Sequence, residues 1–250
     1  MAVQTRRERA RDATVLEIRR TARDLLVQQG PDALTLRAIA REMGMTPPAL
    51  YRYFASHDEI VAALVADILD EITDTVAGAG SDGTEPLDRL VAACRAFRSW
   101  SLAHPREFQL IFASSVDGPP AGYERGAPTA PDADCGVTFG GVFLDLFVDI
   151  WEHAPFLVPA DSDLPESLAA QLRAFSASTG DRLPLGALAA YLSGWVRLYG
   201  GVTIEVFGHI GFALEDPEAL FEAMLADMRR LLTTPPAGQS SIDSPGASRR

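Results

Sequence analysis

Apolar residues recur at helical spacing along almost the whole of this 250-residue chain, and no stretch of useful length alternates as a strand would. Val15, Ile18, Ala22, Leu25 and Leu26 fall on one face of a helix that Gly30 ends. Thr35 offers an N-cap for "LRAIAREM", closed by Gly44. Thr46 is placed to cap a further short helix with Pro47 at its first position, where a missing N–H costs little. Ser56 and Glu59 have the spacing of a capping box for a long helix whose buried stripe is Ile60, Leu64, Ile68, Ile72 and Val76. Further helices are expected near 86–103, 105–113, 137–153, 164–177, 184–210 and 216–232. The chain therefore reads as all-α: a compact N-terminal three-helix head carrying a helix-turn-helix, joined by a long helix to a larger helical body.

The expected divisions are a head over 1–57, a body over 58–234 and a disordered tail over 235–250. Within them, 1–11 reads as a basic, flexible arm. Residues 115–134, rich in Gly and Pro, read as a long loop. Net charge is −12, which argues against a nucleic-acid partner until its distribution is considered. Residues 1–57 hold ten Arg against six acids, a net of +4, and the remainder carries −16. A basic head on an acidic body is the asymmetry expected when one end meets phosphates. The chain has no Lys and no Asn, as coding from a GC-rich bacterial genome would produce.

The run 36–54 has the form of a helix-turn-helix. Ala40 is small where two helices cross, Gly44 makes the turn, and Leu36, Ile39, Met43, Met45, Leu50 and Phe54 supply the core. Pro48, Ala49, Tyr51, Arg52 and Tyr53 then face outward from the second helix; the alternative for the two tyrosines is ordinary amphipathic packing. In a major groove, such a helix sets its first residues at base edges.

These residues, "LTLRAIAREMGMTPPALYRYFASHDEIV" with "ARDLLVQQG" before them, resemble the TetR family of bacterial transcriptional repressors over about residues 15–65. The resemblance implies that Thr35, Arg37, Thr46, Tyr51 and Tyr53 contact phosphates or orient the helix. It also implies that Pro48, Ala49 and Arg52 lie nearest the bases, Arg52 toward guanine and the two smaller residues toward a thymine methyl. The family often has His where Tyr53 stands and Lys where His57 stands. The second change weakens one phosphate contact or makes it sensitive to pH. For Arg6, Arg7, Arg9 and Arg11 two readings stay open, a solvated tail or an arm along the DNA backbone or minor groove.

The body carries many aromatic residues. Phe97, Trp100, Phe108, Phe112, Phe143, Phe147, Trp151, Trp195 and Tyr199 are candidates to line a cavity for a small apolar or aromatic effector, as family members commonly do; plain core is the alternative for each. Ala187, Gly194, Gly201 and Gly208 recur at heptad spacing, which suits close helix approach. They are expected at a homodimer interface formed by the last two helices, with packing inside one chain as the alternative. "HPREFQLIF" and "WVRLYGGVTIEVFG" also resemble the C-terminal domain of a family subtype, with Tyr199 where a His is often seen.

Other signals carry less. "GAGSDG" at 78–83 fits a dinucleotide fingerprint in letters but lacks a preceding strand. There is no GxSxG, HExxH or Walker motif, and the four His and two Cys show no metal-ligand spacing. No catalytic residue, metal or cofactor is expected. Neither a membrane span nor a signal peptide is evident, and with Cys94 and Cys135 alone the cytoplasm is the expected location. The expectation is a ligand-responsive repressor that binds a near-palindromic operator in double-stranded DNA as a homodimer. The alternative is a helical small-molecule-binding protein or enzyme that uses the body's cavity.

Overall fold

The computed structural model describes residues 5–81, 85–112 and 139–236. Among these are ten α-helices, two 3-10 turns and no strand. The helices are α1 (Arg6–Gln29), α2 (Leu36–Glu42), α3 (Pro47–Leu50), α4 (His57–Ser81), α5 (Pro86–Ala103), α6 (Pro105–Phe112), α7 (Phe139–His153), α8 (Glu166–Ser178), α9 (Leu185–Val206) and α10 (Glu218–Thr233). The expected loop at 115–134 lies outside the described residues, as do Cys135 and most of the expected tail.

The chain forms two compact units. Of the described residues, the first takes 5–74 and 103–112, and the second takes 75–81, 85–102 and 139–236. The expected boundary at 57/58 therefore moves. Most of α4 belongs with the head because Ile60, Leu64, Ile68 and Ile72 are buried there with Ile18, Leu26 and Ile39. α6 joins the same unit: the Arg23 guanidinium reaches Glu71 on α4 and, at 3.4 Å, Glu107 on α6. Glu107 is only 3% exposed and is the one buried carboxylate among the described residues. An unpaired carboxylate at that depth would cost several kcal/mol.

The second unit is built on α5, α7, α9 and α10. Arg98 on α5 makes a two-pronged pair with Glu205 on α9 at 2.8 and 2.6 Å, and its guanidinium lies over the Phe221 ring of α10 at 5.1 Å. Arg95 holds Glu222 in the same forked way. At the start of α9, a Cβ on Gly186 would stand 2.3 Å from the Pro159 carbonyl, so the 154–160 segment crosses the helix only because that residue lacks a side chain.

The arm expected over 1–11 is corrected from residue 6 onward. α1 begins at Arg6, capped by a reciprocal box in which Glu8 N–H donates to Thr5 Oγ1 (3.2 Å) and Thr5 N–H donates to Glu8 Oε2 (2.7 Å). The signal was present as Thr5-Arg-Arg-Glu8, but four arginines in this stretch read more readily as a charged tail.

Candidate nucleic-acid interface

In the first unit, Gly30 leaves α1 at φ +87° and the Thr35 side chain opens α2 by accepting from Ala38 N–H at 3.1 Å. The turn between α2 and α3 is closed by Gly44 N–H to the Arg41 carbonyl and Met45 N–H to the Ala40 carbonyl, 3.1 and 2.8 Å. Gly44 sits at φ +64° with nothing near its missing side chain, so backbone conformation alone demands glycine there. Helical hydrogen bonding then runs past Leu50, with Tyr53 and Phe54 N–H both donating to the Leu50 carbonyl. Thr46 occupies the N-cap position of α3 with the expected extended backbone, but its side chain makes no capping hydrogen bond.

Leu50 and Phe54 are buried, and Ile39 and Ala40 back them. Leu36, Met43 and Met45, expected in the core, are only half-buried at its rim. Tyr51 is 54% exposed, Arg52 is exposed, and Tyr53 is half-buried. Arg37, Thr46 and Pro48 are exposed as well, and Ala49 is half-buried. Amphipathic packing does not account for Tyr51, whose ring stays in water beside a buried leucine. Thr35 retains its hydroxyl proton for a further acceptor after capping α2.

His57 is placed differently from the expectation. Its Nε2–H donates to the Leu34 carbonyl, tying the first turn of α4 to the segment before α2. The ring is half-buried and committed inside the unit. The start of α4 is set by a further shift from the expected box: Ser56 Oγ accepts from Glu59 N–H at 3.1 Å, but the Glu59 carboxylate reaches back to Ala55 N–H rather than to Ser56.

The candidate effector residues do not form one group. Phe108 and Phe112 pack together at 4.8 Å in the first unit. In the second unit Phe97, Phe143 and Trp195 meet at 5.5–6.3 Å, with Phe139 inserted among them and Tyr199 stacked on Trp195 at 6.1 Å. Phe147 and Trp151 belong to a second ring cluster completed by Phe156 and Tyr191, neither of which had a local sequence signal. Trp100 is buried on α5. Of the whole candidate set, only Phe147 lines the cavity of about 30 Å³ beside Cys94, Gly194 and Met224. That is room for about one water, far below the roughly 300 Å³ at which small-molecule pockets begin. Burial pushes the Cys94 thiol up to about 12.

The small-residue stripe also divides. Ala187 is fully buried within its own chain, and Gly208 lies beyond α9 in a left-handed turn at φ +67°. Neither can sit on a helical dimer seam. Gly201 is exposed, and a Cβ there would stand 3.6 Å from the Met224 sulfur, an ordinary contact, so packing inside the chain does not require glycine at this position. The water-facing side of α9 carries Val196, Gly201 and Ile204, with Val196 68% exposed; Leu220 and Leu231 are the exposed leucines of α10.

Comparison with known proteins bears on both units. A family model described as bacterial regulatory proteins, tetR family, matches residues 18–64. A second, described as the tetracyclin repressor-like C-terminal domain, matches residues 90–228. The HTH-type transcriptional regulator Rv1816 of Mycobacterium tuberculosis is 31% identical over 232 residues, covering 87% of this chain and 92% of that protein. The class A tetracycline repressor from transposon 1721 of Escherichia coli is 32% identical over 123 residues, 48% of this chain and 50% of that protein. Among solved structures, the regulatory protein SCO4313 superposes with a TM-score of 0.63 at 31% identity, over 90% of this chain and 98% of that one. A Rhodococcus protein of unknown function shares the fold at a TM-score of 0.53 and 18% identity, over 87% of this chain and 95% of that one. With its helix-turn-helix at residues 36–54 and a matching C-terminal domain, this chain belongs to the TetR family of bacterial transcriptional regulators.

Proposed function

We propose that this regulator is a repressor that binds a near-palindromic operator as a homodimer and changes its DNA affinity when a small apolar or aromatic effector enters the second unit. The observation that carries the DNA reading is the pattern around α3: Leu50 and Phe54 buried, Tyr51 and Arg52 in water. Arg52 presents a planar fork suited to guanine O6 and N7, with Pro48 and Ala49 beside it for a thymine methyl. Thr35, Arg37, Thr46, Tyr51 and Tyr53 are assigned to phosphates or to holding the helix. His57 acts through the Leu34 carbonyl it holds and is a positioning residue rather than a phosphate contact.

Two heads would enter successive major grooves about 34–36 Å apart. The seam we assign to the dimer is Val196, Gly201 and Ile204 of α9 with Leu220 and Leu231 of α10, which leave apolar surface in water on one chain. An effector would open the ring cluster around Phe97, Phe143 and Trp195. α4 runs unbroken from the first unit into the second and would carry the change. To change occupancy, the effector needs a differential affinity of typically 1–3 kcal/mol between two states.

A gel-shift on promoter DNA beside the protein's own gene tests the core of this reading. Salt-sensitive, sequence-specific binding that Arg52→Ala abolishes is the expected result. Equal binding to scrambled duplex, or indifference to Arg52, overturns it.

A further inference from the structure

The first two turns of α1 carry Arg6, Arg7, Arg9 and Arg11, all exposed, and none is joined to an acid among the described residues. A helix N-terminus is the end at which cations are least favourable, because they meet the positive pole of the aligned peptide dipoles. Helix stability therefore does not explain them. The segment is nonetheless ordered as helix. Glu8 is occupied by the cap, where the Thr5 backbone N–H holds its carboxyl below the usual range.

The register between α1 and α4 locates these turns. Arg19 pairs with Asp67 and Arg23 with Glu71, each 48 residues apart, so the two helices run parallel with a fixed offset. Extended toward the N-terminus, the same offset sets residues 6–11 level with 54–59. That is the end of the reading helix and the first turn of α4. Arg11 lies seven residues before the buried Ile18, which lies seven before the buried Leu25. Arg7, four residues before Arg11, shares that side. The pair thus continues the core-facing stripe of α1 past the edge of the core, on the side turned toward the other helices of the unit.

We propose that the Thr5-capped first two turns of α1 form a helical phosphate-binding ridge in which Arg7 and Arg11 hold the DNA backbone beside the groove that the α3 segment enters. The inference rests on the DNA-binding reading above and adds a second contact surface to it. The occupant is the sugar–phosphate backbone of a duplex. An unpaired cationic face suits a polyanion, and the guanidinium fork takes two phosphate oxygens at once. A ridge already helical loses less conformational freedom on binding than a flexible arm would.

The test uses the full chain, its own promoter duplex and a scrambled duplex of equal length, with dissociation constants measured across a salt series. Each phosphate neutralised contributes about 0.9 to the slope of log affinity against log salt. The Arg7→Ala/Arg11→Ala variant is expected to lower the magnitude of that slope by about 2 on both duplexes and to leave their affinity ratio unchanged. Thr5→Ala keeps all four arginines and is expected to weaken both duplexes equally, with the slope retained. An unchanged slope in the double variant, while the parent protein still discriminates and still depends on Arg52, overturns the ridge alone. A loss confined to the promoter duplex assigns the two arginines to base edges and overturns the phosphate contact. A parent protein that does not discriminate between the duplexes overturns the DNA reading itself and the ridge with it.

Discussion

The α3 segment of the first unit and the ring clusters of the second hold their aromatic side chains in opposite ways. The α3 segment rests on a core that includes Ile18, Leu26, Ile39, Leu50, Ile60 and Leu64, and keeps Tyr51 and Arg52 in water. The clusters on α5, α7 and α9 bury Phe97, Phe143 and Phe147 against other aromatics, and Arg98 is covered by a carboxylate and a ring, while Phe212 beyond α9 is 91% exposed. A buried ring stabilises its unit by contact area and edge-to-face geometry. A ring left in water does neither, so Tyr51 adds little to the stability of its unit. In one fold, burial and neighbours rather than residue type thus separate a ring that packs from one that stays in water.

The comparison can be broken by three substitutions of decreasing effect on stability. Phe97→Ala removes a fully buried ring that touches Phe139, Phe143 and Trp195, and should cost about 3–5 kcal/mol in denaturant unfolding of the body. A cost below about 1 kcal/mol would mean the rings are loosely held, and the inward half of the contrast fails. Arg98→Ala strips the cation from Glu205, which is only 9% exposed, and should cost about 2–3 kcal/mol. Pairing it with Glu205→Gln should recover part of that loss, since two contacting sites are not additive; full additivity would make the pair a mere crystal-like proximity of charges. Tyr51→Ala should change stability by no more than about 0.5 kcal/mol while weakening operator binding in the same gel-shift. A large fall in melting temperature would show that Tyr51 supports the head, and the outward half of the contrast fails instead.

Much of the head was legible in the sequence because its signals are local. Thr35 and Ser56 cap the helices they precede, Gly30 and Gly44 end theirs at positive φ, and Leu50 and Phe54 alternate with outward residues as helical spacing requires. The body was legible as helices but not as an arrangement. Phe108 and Phe112 looked like members of the same ring set as Phe97, yet they pack in the other unit. Ala187 and Gly208 looked like members of one helical seam, yet the first is buried in its own chain and the second lies beyond α9 in a left-handed turn. Periodicity states which residues share a face and is silent on what that face meets.

Sequence by itself determined the all-α class, most helix limits, the helix-turn-helix and the charge split between the two ends, because a cap, a turn glycine or a 3.6-residue stripe acts within one or two turns of chain. Tertiary structure alone decided that Arg23 reaches Glu107 across 84 residues, that Arg98 reaches Glu205 across 107, and that His57 is spent on the Leu34 carbonyl. Those partners are chosen by which helices pack together, and a buried charge accepts whichever opposite charge the packing brings within reach.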